Sequence, residues 1–349
     1  MMNKYFLAAI FSSTLLIGCD DDSMNTAIAQ DALKPTVVTD QTKHDTDDPA
    51  IWINAADSSQ SLIIGTDKDS DGALYVFDLN GKTVKTISGL KRPNNVDVAY
   101  GLQLGGKRVD IAVTTERETN KIRVYQLPEM TELGNGFDVF VNEKERAPMG
   151  LALYTNPADS SVYAVVGRKS GPVDNYLWQY KLSDDGNGNL KAEVVRKFGK
   201  YSGTKEIEAI AVDNELGYIY YSDEQVGLRK YYADPAKGNE ELAFFGQNDF
   251  ASDNEGISIY KSSDSTGYVL VSNQQDNSFN VYPREGNDHR LITKIPASTI
   301  ESDGSDVVNV NLGSTFPQGV FVAMSNGKVF HYYDWREMQA KIDAASANK

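Results

Sequence analysis

Cysteine and histidine are scarce in this sequence of 349 residues, which has one cysteine and three histidines. The single cysteine, Cys19, excludes a disulfide framework within the chain. Three scattered histidines, at positions 44, 289 and 331, are too few for a histidine-rich dinuclear metal centre. Because no glycine-rich nucleotide loop or serine nucleophile elbow stands out either, these common routes to phosphate binding and covalent catalysis are disfavoured.

Basic side chains are also in deficit, with 34 lysines and arginines against 49 aspartates and glutamates. Binding to nucleic acid needs a basic face, so a nucleic-acid partner is disfavoured. The same acidity suits calcium, which prefers oxygen ligands. The 28 glycines, 19 tyrosines and 13 phenylalanines indicate many short strands joined by glycine turns.

We interpret the first 33 residues as a targeting sequence followed by a linker. Lys4 is followed by an apolar run from Phe6 to Ile17 that is too short to span a membrane. The run ends in Leu16-Ile17-Gly18-Cys19, which resembles a bacterial lipobox. We therefore predict a lipoprotein signal peptide over 1–18, a flexible tether over 19–33, and an exported lipoprotein, periplasmic or at the cell surface, that touches membrane only through lipidated Cys19. The alternative is a plain signal peptide that is cleaved later, after Ala27-Ile28-Ala29.

A period of about fifty residues runs through the rest of the chain. Strand-like segments end in an aromatic residue at regular intervals, at Phe77, Tyr125, Tyr180, Tyr231, Tyr282 and Tyr332. Each period also contains two further apolar segments and a weaker fourth one, such as Thr83 to Ile87. This pattern predicts an all-β, six-bladed β-propeller of four-stranded antiparallel blades over residues 34–345. Two smaller domains are the alternative, but no linker interrupts the period.

The sixth period contains three strands before a helical pattern from Arg336 to Ala347, so one strand is missing from it. The segment from Pro35 to Thr39 precedes the first period and has no blade of its own. We predict that it supplies the outer strand of the last blade and closes the ring, leaving no bare sheet edge.

Acidic and polar residues lead into the apolar segment that we assign as the innermost strand of each blade. In a propeller, these leading residues meet at one end of the central channel. The expected rim residues are Asp47, Asp48, Asn95, Asp97, Glu208, Asp253, Glu255, Asp303 and Asp306. So many carboxylates repel one another unless cations neutralise them, and hard oxygen ligands point to several calcium ions rather than zinc.

Cations follow the second strand of the first three periods and should reach the same rim. They are Lys68, Arg117, Arg168 and Lys169, whereas later periods place Asp223, Glu224 and Gln274 at the equivalent point. A rim that is basic on one side and acidic with bound metal on the other suits an anionic ester substrate.

Five segments, taken together and in order, resemble the β-propeller phytases, which are calcium-dependent phosphatases acting on myo-inositol hexakisphosphate. They are Asp47-Asp48-Pro49-Ala50-Ile51-Trp52, 74–82 (LYVFDLNGK), Asn94-Asn95-Val96-Asp97-Val98, Asp253-Asn254-Glu255-Gly256, and Asp303-Gly304. The resemblance implies a phytase of the 3-phytase type that is a monomer and uses calcium-activated water without a covalent intermediate.

The resemblance also implies roles for individual residues. Its calcium ligands are Asp47, Asp48, Glu208, Glu224, Asp253, Glu255, Gln274 and Asp303. Its phosphate-binding cations are Lys68, Arg117 and Arg168, with Lys169 as an alternative to Arg168. We expect Glu208, Asp253, Glu255, Lys68 and Arg117 to be catalytic. The sequence departs from the family pattern at Met149, where a tyrosine is common, and at Ala209, where glycine is usual.

Two other functions fit the composition and the repeat. A calcium-dependent hydrolase of the lactonase type, also a six-bladed propeller, would use the rim carboxylates without needing the cations. A catalytically silent lipoprotein would bind a ligand on the same rim.

Overall fold

The computed structural model describes residues 27–347, which form a ring of six antiparallel β-sheets. The predicted signal peptide and Cys19 lie outside the described residues. Strand β1 (Val37–Val38) comes first in the chain and belongs to the last sheet. The six-bladed β-propeller predicted from the fifty-residue period is thus confirmed.

The first three blades are built from consecutive strands. Blade 1 contains β2 (Thr46–Trp52), β3 (Leu62–Asp67), β4 (Gly72–Phe77) and β5 (Thr83–Leu90). Blade 2 contains β6 (Pro93–Leu104), β7 (Lys107–Glu116), β8 (Lys121–Leu127), β9 (Thr131–Glu132) and β10 (Phe137–Asp138). Its outer strand is split, because β9 and β10 both pair with β8. Blade 3 contains β11 (Pro148–Thr155), β12 (Val162–Arg168), β13 (Asp174–Asp184) and β14 (Leu190–Lys200).

The remaining blades repeat this arrangement. Blade 4 contains β15 (Ile210–Asp213), β16 (Tyr218–Asp223), β17 (Gly227–Tyr232) and β18 (Glu241–Phe245). Blade 5 contains β19 (Asn254–Lys261), β20 (Gly267–Asn273), β21 (Ser278–Pro283) and β22 (Thr293–Pro296). Blade 6 contains β23 (Ser305–Val308), β24 (Val320–Ser325), β25 (Val329–Asp334) and β1. Four short 3-10 helices lie between strands, at Ser58–Gln60, Arg117–Thr119, Pro235–Lys237 and Gln274–Asp276.

Each pair of neighbouring blades encloses its own apolar core, so six cores surround the channel. The six aromatic residues that mark the sequence period all lie on the third strand of a blade and are buried. Burying a large ring between sheets contributes roughly 1.5–3 kcal/mol of hydrophobic stabilisation for each side chain. The period seen in the sequence is therefore the period of blade-to-blade packing.

Strand β1 closes the ring as predicted. Val37 pairs with Tyr332 and Val38 with His331 on β25. The Thr36 N–H donates to the Tyr332 carbonyl at 2.8 Å. The outer edge of blade 6 is therefore covered by the beginning of the propeller domain rather than by its end.

Removing the closing strand should weaken the whole ring. A chain that starts at Asp40 loses the hydrogen bonds to β25, which are together worth about 3 kcal/mol. We expect its melting temperature to fall by roughly 5 °C or more and its aggregation to increase, because a bare edge pairs with other chains. Scanning calorimetry against a chain that lacks only residues 1–26 provides the measurement and the control. Equal melting temperatures would contradict the closing role.

The segments that precede and follow the propeller in the sequence both pack against blades 5 and 6. Helix α1 (Trp335–Ala347) follows β25 and buries Trp335, which stacks on Tyr260 with ring centroids 3.5 Å apart. The Leu33 N–H, at the end of the predicted tether, donates to the Pro296 carbonyl at 2.9 Å. Within residues 27–347, no helix combines the length and apolar character needed to cross a membrane.

Glycine lets the inner strands approach one another at the rim. A Cβ on Gly304 would lie 2.4 Å from Asp48 Oδ1 and 2.6 Å from the Asp47 carbonyl. A Cβ on Gly150 would lie 2.2 Å from the Glu208 carbonyl. Because only glycine tolerates such contacts, these positions allow carboxylates of neighbouring blades to come close together.

Candidate active site at the channel rim

Two rings of side chains form the rim, and strand register defines both. In blades 1 to 5, the first residue after the second strand donates its N–H to a carbonyl two residues before an inner-ring residue. Examples are Lys68 N–H to the Asp45 carbonyl at 2.7 Å and Lys169 N–H to the Ala147 carbonyl at 2.8 Å. By this register the inner ring contains Asp47, Asn94, Met149, Glu208 and Glu255. Asp303 joins it because Ser305 pairs with Ala323 as Ile257 pairs with Val271. The outer ring contains Lys68, Arg117, Lys169, Glu224 and Gln274.

The register separates the two cations of blade 3. Arg168 is the last residue of its strand and is equivalent to Asp67, Glu116, Asp223 and Asn273, which are all buried. Only 1% of its side chain is exposed, and its guanidinium packs over the Phe140 ring and donates to Glu143 and to the Glu145 carbonyl. Lys169 is 49% exposed. Alternation along the strand turns Arg168 away from the channel, so Lys169 rather than Arg168 is the candidate phosphate-binding cation of blade 3.

The basic half of the rim is already paired with carboxylates. The Lys68 ammonium lies between Asp47 Oδ1 at 2.5 Å and Asp303 Oδ2 at 3.0 Å, so it bridges blades 1 and 6. Gln274 donates to the other oxygen of Asp303 at 2.5 Å. Lys169 forms an ion pair with Glu206. These contacts place Lys68, Asp47, Asp303 and Gln274 in one network.

Asn94 links the basic and the acidic half of the rim. The sequence interpretation missed this role. Its amide nitrogen donates to Asp47 Oδ2 at 2.8 Å and to Glu208, and its oxygen accepts from Arg117. Arg117 Nε is buried without a hydrogen-bond partner among the described residues. The signal was available in the sequence, because Asn94 and not Asn95 stands in register with Asp47.

The acidic half contains a compact carboxylate cluster. Glu224, Asp253 and Glu255 each offer an oxygen within 4.8 Å of the others, and all three are buried. Asp253 also accepts from Gln225 at 2.8 Å and from Gln275 at 2.9 Å. The ammonium of Lys205, a residue not singled out in the sequence, contacts both Glu224 and Asp253.

Burial dominates the electrostatics of the carboxylates. It raises the pKa of Asp47 and Glu255 well above the ordinary range and that of Glu224 to about 7. Burial also pushes the pKa of Glu208 upward, but Lys68, Arg117 and the Asn94 amide outweigh it and lower the pKa. The acidic side of the rim therefore holds protons at neutral pH in the absence of a further cation.

Four residues expected at the rim face the channel below it instead. Asp48 and Asn95 each follow an inner-ring residue, so they point to the other side of the strand and line a cavity of about 410 Å³. Asp97 accepts from the Leu153 N–H at 2.7 Å and Asp306 from the Ile51 N–H at 2.8 Å. The rim placement of Asp48, Asn95, Asp97 and Asp306 is thus wrong, and Asp97 and Asp306 brace neighbouring inner strands instead. Asp48 braces Val96 in the same way, at 3.1 Å.

The acidic cluster has the properties of a metal site. Its donors are carboxylate oxygens, which are calcium ligands, and no histidine or cysteine takes part among the described residues. The buried Oε2 of Glu224 has no hydrogen-bond partner in this part of the chain. A cation at this point would satisfy that oxygen and remove the repulsion between Glu255 and its neighbours.

Calcium binding should release protons. Burial raises the pKa of Glu224 to about 7 and that of Glu255 well above its ordinary range, so protons are bound at this cluster at neutral pH. Ligands must be ionised to bind calcium, so we expect about one proton to leave for each ion bound at this cluster. Isothermal calorimetry in buffers with different ionisation enthalpies measures this number. Identical heats in all buffers would contradict the protonated state of the cluster.

Comparisons with known proteins agree on one family. The sequence matches the model of the family described as Phytase over residues 8–331. It is 31% identical over 301 residues to a 3-phytase of Bacillus subtilis (strain 168), covering 81% of this chain and 75% of that protein. A chain in the crystal structure of the mitotic checkpoint complex aligns at 10% identity with a TM-score of 0.52, covering 95% of this chain and 99% of that one. The last likeness shows the fold alone.

The family match spans nearly the whole propeller, including all the rim residues described above, and it agrees with the six-bladed ring. Since the model covers most of the sequence and the Bacillus protein is similar over most of both chains, this chain belongs to the phytase family.

Proposed function

We propose that this protein is a phosphoric monoester hydrolase that releases inorganic phosphate from phytate, myo-inositol hexakisphosphate, at the channel rim. One observation carries the proposal. A buried cluster of carboxylates, Glu224, Asp253 and Glu255, faces Lys68, Arg117 and Lys169 across the mouth of a single channel. The fold, the family and the 3-phytase relative support the same activity.

The cations bind and orient the substrate in this proposal. Lys68 and Arg117 exchange their present partners, Asp47 and Asn94, for phosphate oxygens, and Lys169 binds a neighbouring phosphate group. Holding a polyphosphate at several points fixes the scissile group against the acidic side of the rim. Asn94 positions Arg117 and Glu208 relative to each other.

Carboxylates of the rim hold calcium in this proposal. The ligands are Glu208, Glu224, Asp253, Glu255, Asp47, Asp303 and Gln274, and Asp48 remains a candidate on the channel side. Calcium, when bound there, supplies positive charge and lowers the pKa of a coordinated water. The protein contributes buried, prearranged oxygen ligands and the cations that stabilise charge on the phosphate.

Phosphate release from calcium phytate tests the function. We expect release that depends on added calcium and disappears with a chelator, whereas p-nitrophenyl butyrate or a lactone should not be hydrolysed. Hydrolysis of the lactone alone would favour the lactonase alternative, which leaves the three cations without a role. No turnover of either substrate under any metal condition would favour a binding lipoprotein.

The location is a separate proposal. We infer that Cys19 is lipidated and anchors a monomeric, exported protein, since Leu16-Ile17-Gly18-Cys19 resembles a lipobox. Cys19→Ala should move the protein from the membrane fraction to the soluble fraction without changing phosphate release by the folded domain. Equal membrane association of the two proteins would contradict the anchor.

A further inference from the structure

Lys205 lies between the carboxylates that the proposed function assigns to calcium. Its ammonium contacts Glu224 and lies 2.8 Å from Asp253 Oδ2, so it bridges blades 4 and 5. Its carbonyl accepts a hydrogen bond from the Tyr201 hydroxyl, and the Tyr201 ring packs on Tyr176 with centroids 4.4 Å apart. The backbone of Lys205 is thus fixed while its side chain reaches into the cluster.

The ammonium and a metal ion need the same oxygens. Glu224, Asp253 and Glu255 present one oxygen each within 4.8 Å of one another. Two of these three residues are the partners of Lys205. An ion bound to these oxygens would repel the ammonium, so the two cations compete for Glu224 and Asp253.

Exposure distinguishes Lys205 from Lys68. Lys68 also bridges two carboxylates, but only 16% of its side chain is exposed. The Lys205 side chain is 38% exposed, so it can swing into solvent without breaking core packing. Lys205 therefore has both a strong ion-pair position inside the cluster and an open path out of it.

We propose that Lys205 is a displaceable internal counter-ion whose place calcium takes, and whose released ammonium then binds phosphate at the rim. This inference rests on the proposed function. In the metal-free protein Lys205 neutralises Glu224 and Asp253. When calcium binds, the ammonium turns toward the channel mouth and becomes a fourth cation beside Lys68, Arg117 and Lys169. Metal loading and substrate capture are thereby coupled through one side chain.

Amine labelling of the unmodified chain tests the displacement. The purified protein is treated with a small amine-acetylating reagent with chelator or with saturating calcium, and each lysine is quantified by mass spectrometry. We expect acetylation of Lys205 to rise at least fivefold with calcium, while Lys107, the exposed first residue of β7 at the opposite end of the channel, stays unchanged. Equal or lower labelling of Lys205 with calcium would overturn the proposal.

Calorimetry on Lys205→Met provides the second test. Removing the competing ammonium should tighten calcium binding at one site at least tenfold, whereas Lys107→Met should bind calcium like the unmodified protein. Equal affinities in all three proteins, or no calcium binding by any of them, would overturn the displacement. Absence of phosphate release from phytate, with displacement and tightened affinity intact, would overturn the proposed function alone.

Discussion

Replacing Lys68 with methionine is expected to lower phosphate release from calcium phytate by roughly 100-fold or more. The Lys68 ammonium is the only cation within 3.0 Å of both Asp47 and Asp303 in the described part of the chain. Its loss removes the charge that we propose binds phosphate, and it leaves Asp47 buried beside Glu208 without its counter-ion. In steady-state measurements of phosphate release, kcat/KM should fall by more than kcat does.

A matched lysine on the opposite face of the propeller serves as the control. Lys82 lies in the turn between β4 and β5 and pairs with Asp40 at 2.9 Å on the surface. Lys82→Met should change phosphate release by less than about twofold, since exposed ion pairs contribute little to stability. If both variants retain full activity while folded, Lys68 has no part in binding phosphate.

Replacing Glu255 with glutamine should abolish the calcium response while making the metal-free protein more stable. The carboxylate is buried, and burial followed by the charges of Glu224 and Glu208 raises its pKa. The amide has the same shape, but it is neutral and a weaker calcium ligand. We expect calcium affinity at this cluster and phosphate release to fall by about 100-fold or more.

The stability gain of this variant has a definite pH dependence. A carboxylate with a raised folded pKa binds its proton more tightly in the folded state, so stability falls as pH rises from the unfolded pKa of about 4.5 through the folded value. Glutamine does not ionise, so the variant does not lose stability in this pH range. Without calcium, the Glu255→Gln protein should therefore melt at the same temperature as the unmodified protein near pH 4.5 and roughly 2–4 °C higher at pH 8. A lower melting temperature at pH 8 would contradict the raised pKa.

The sequence was sufficient to predict the blades, because one physical constraint repeats six times. Phe77, Tyr125 and the later aromatics must each fill a core between two sheets, so their spacing equals the length of one blade and their number equals the number of blades. The closing role of Pro35 to Thr39 followed from counting strands. The division of the outer strand of blade 2 into β9 and β10 was not predicted, since two-residue strands leave no periodic signal.

Individual side chains of the site were harder to predict, because one residue along a strand changes the face. Arg168 and Lys169 are adjacent and both basic, yet only Lys169 faces the mouth. Asn95 was favoured over Asn94 for the same reason. Lys205 could not be recognised from its neighbours in sequence, because its partners come from strands of two different blades.

The closing strand also has a consequence for how the chain reaches its native state. Val37 and Tyr332 are neighbours in the structure although 295 positions, 332 minus 37, separate them along the chain. Contacts of such long range carry a large loop-closure entropy and form late. Folding during synthesis can thus assemble an open arc of blades but cannot seal it until β25 has emerged, so the final step joins the two extremes of the propeller.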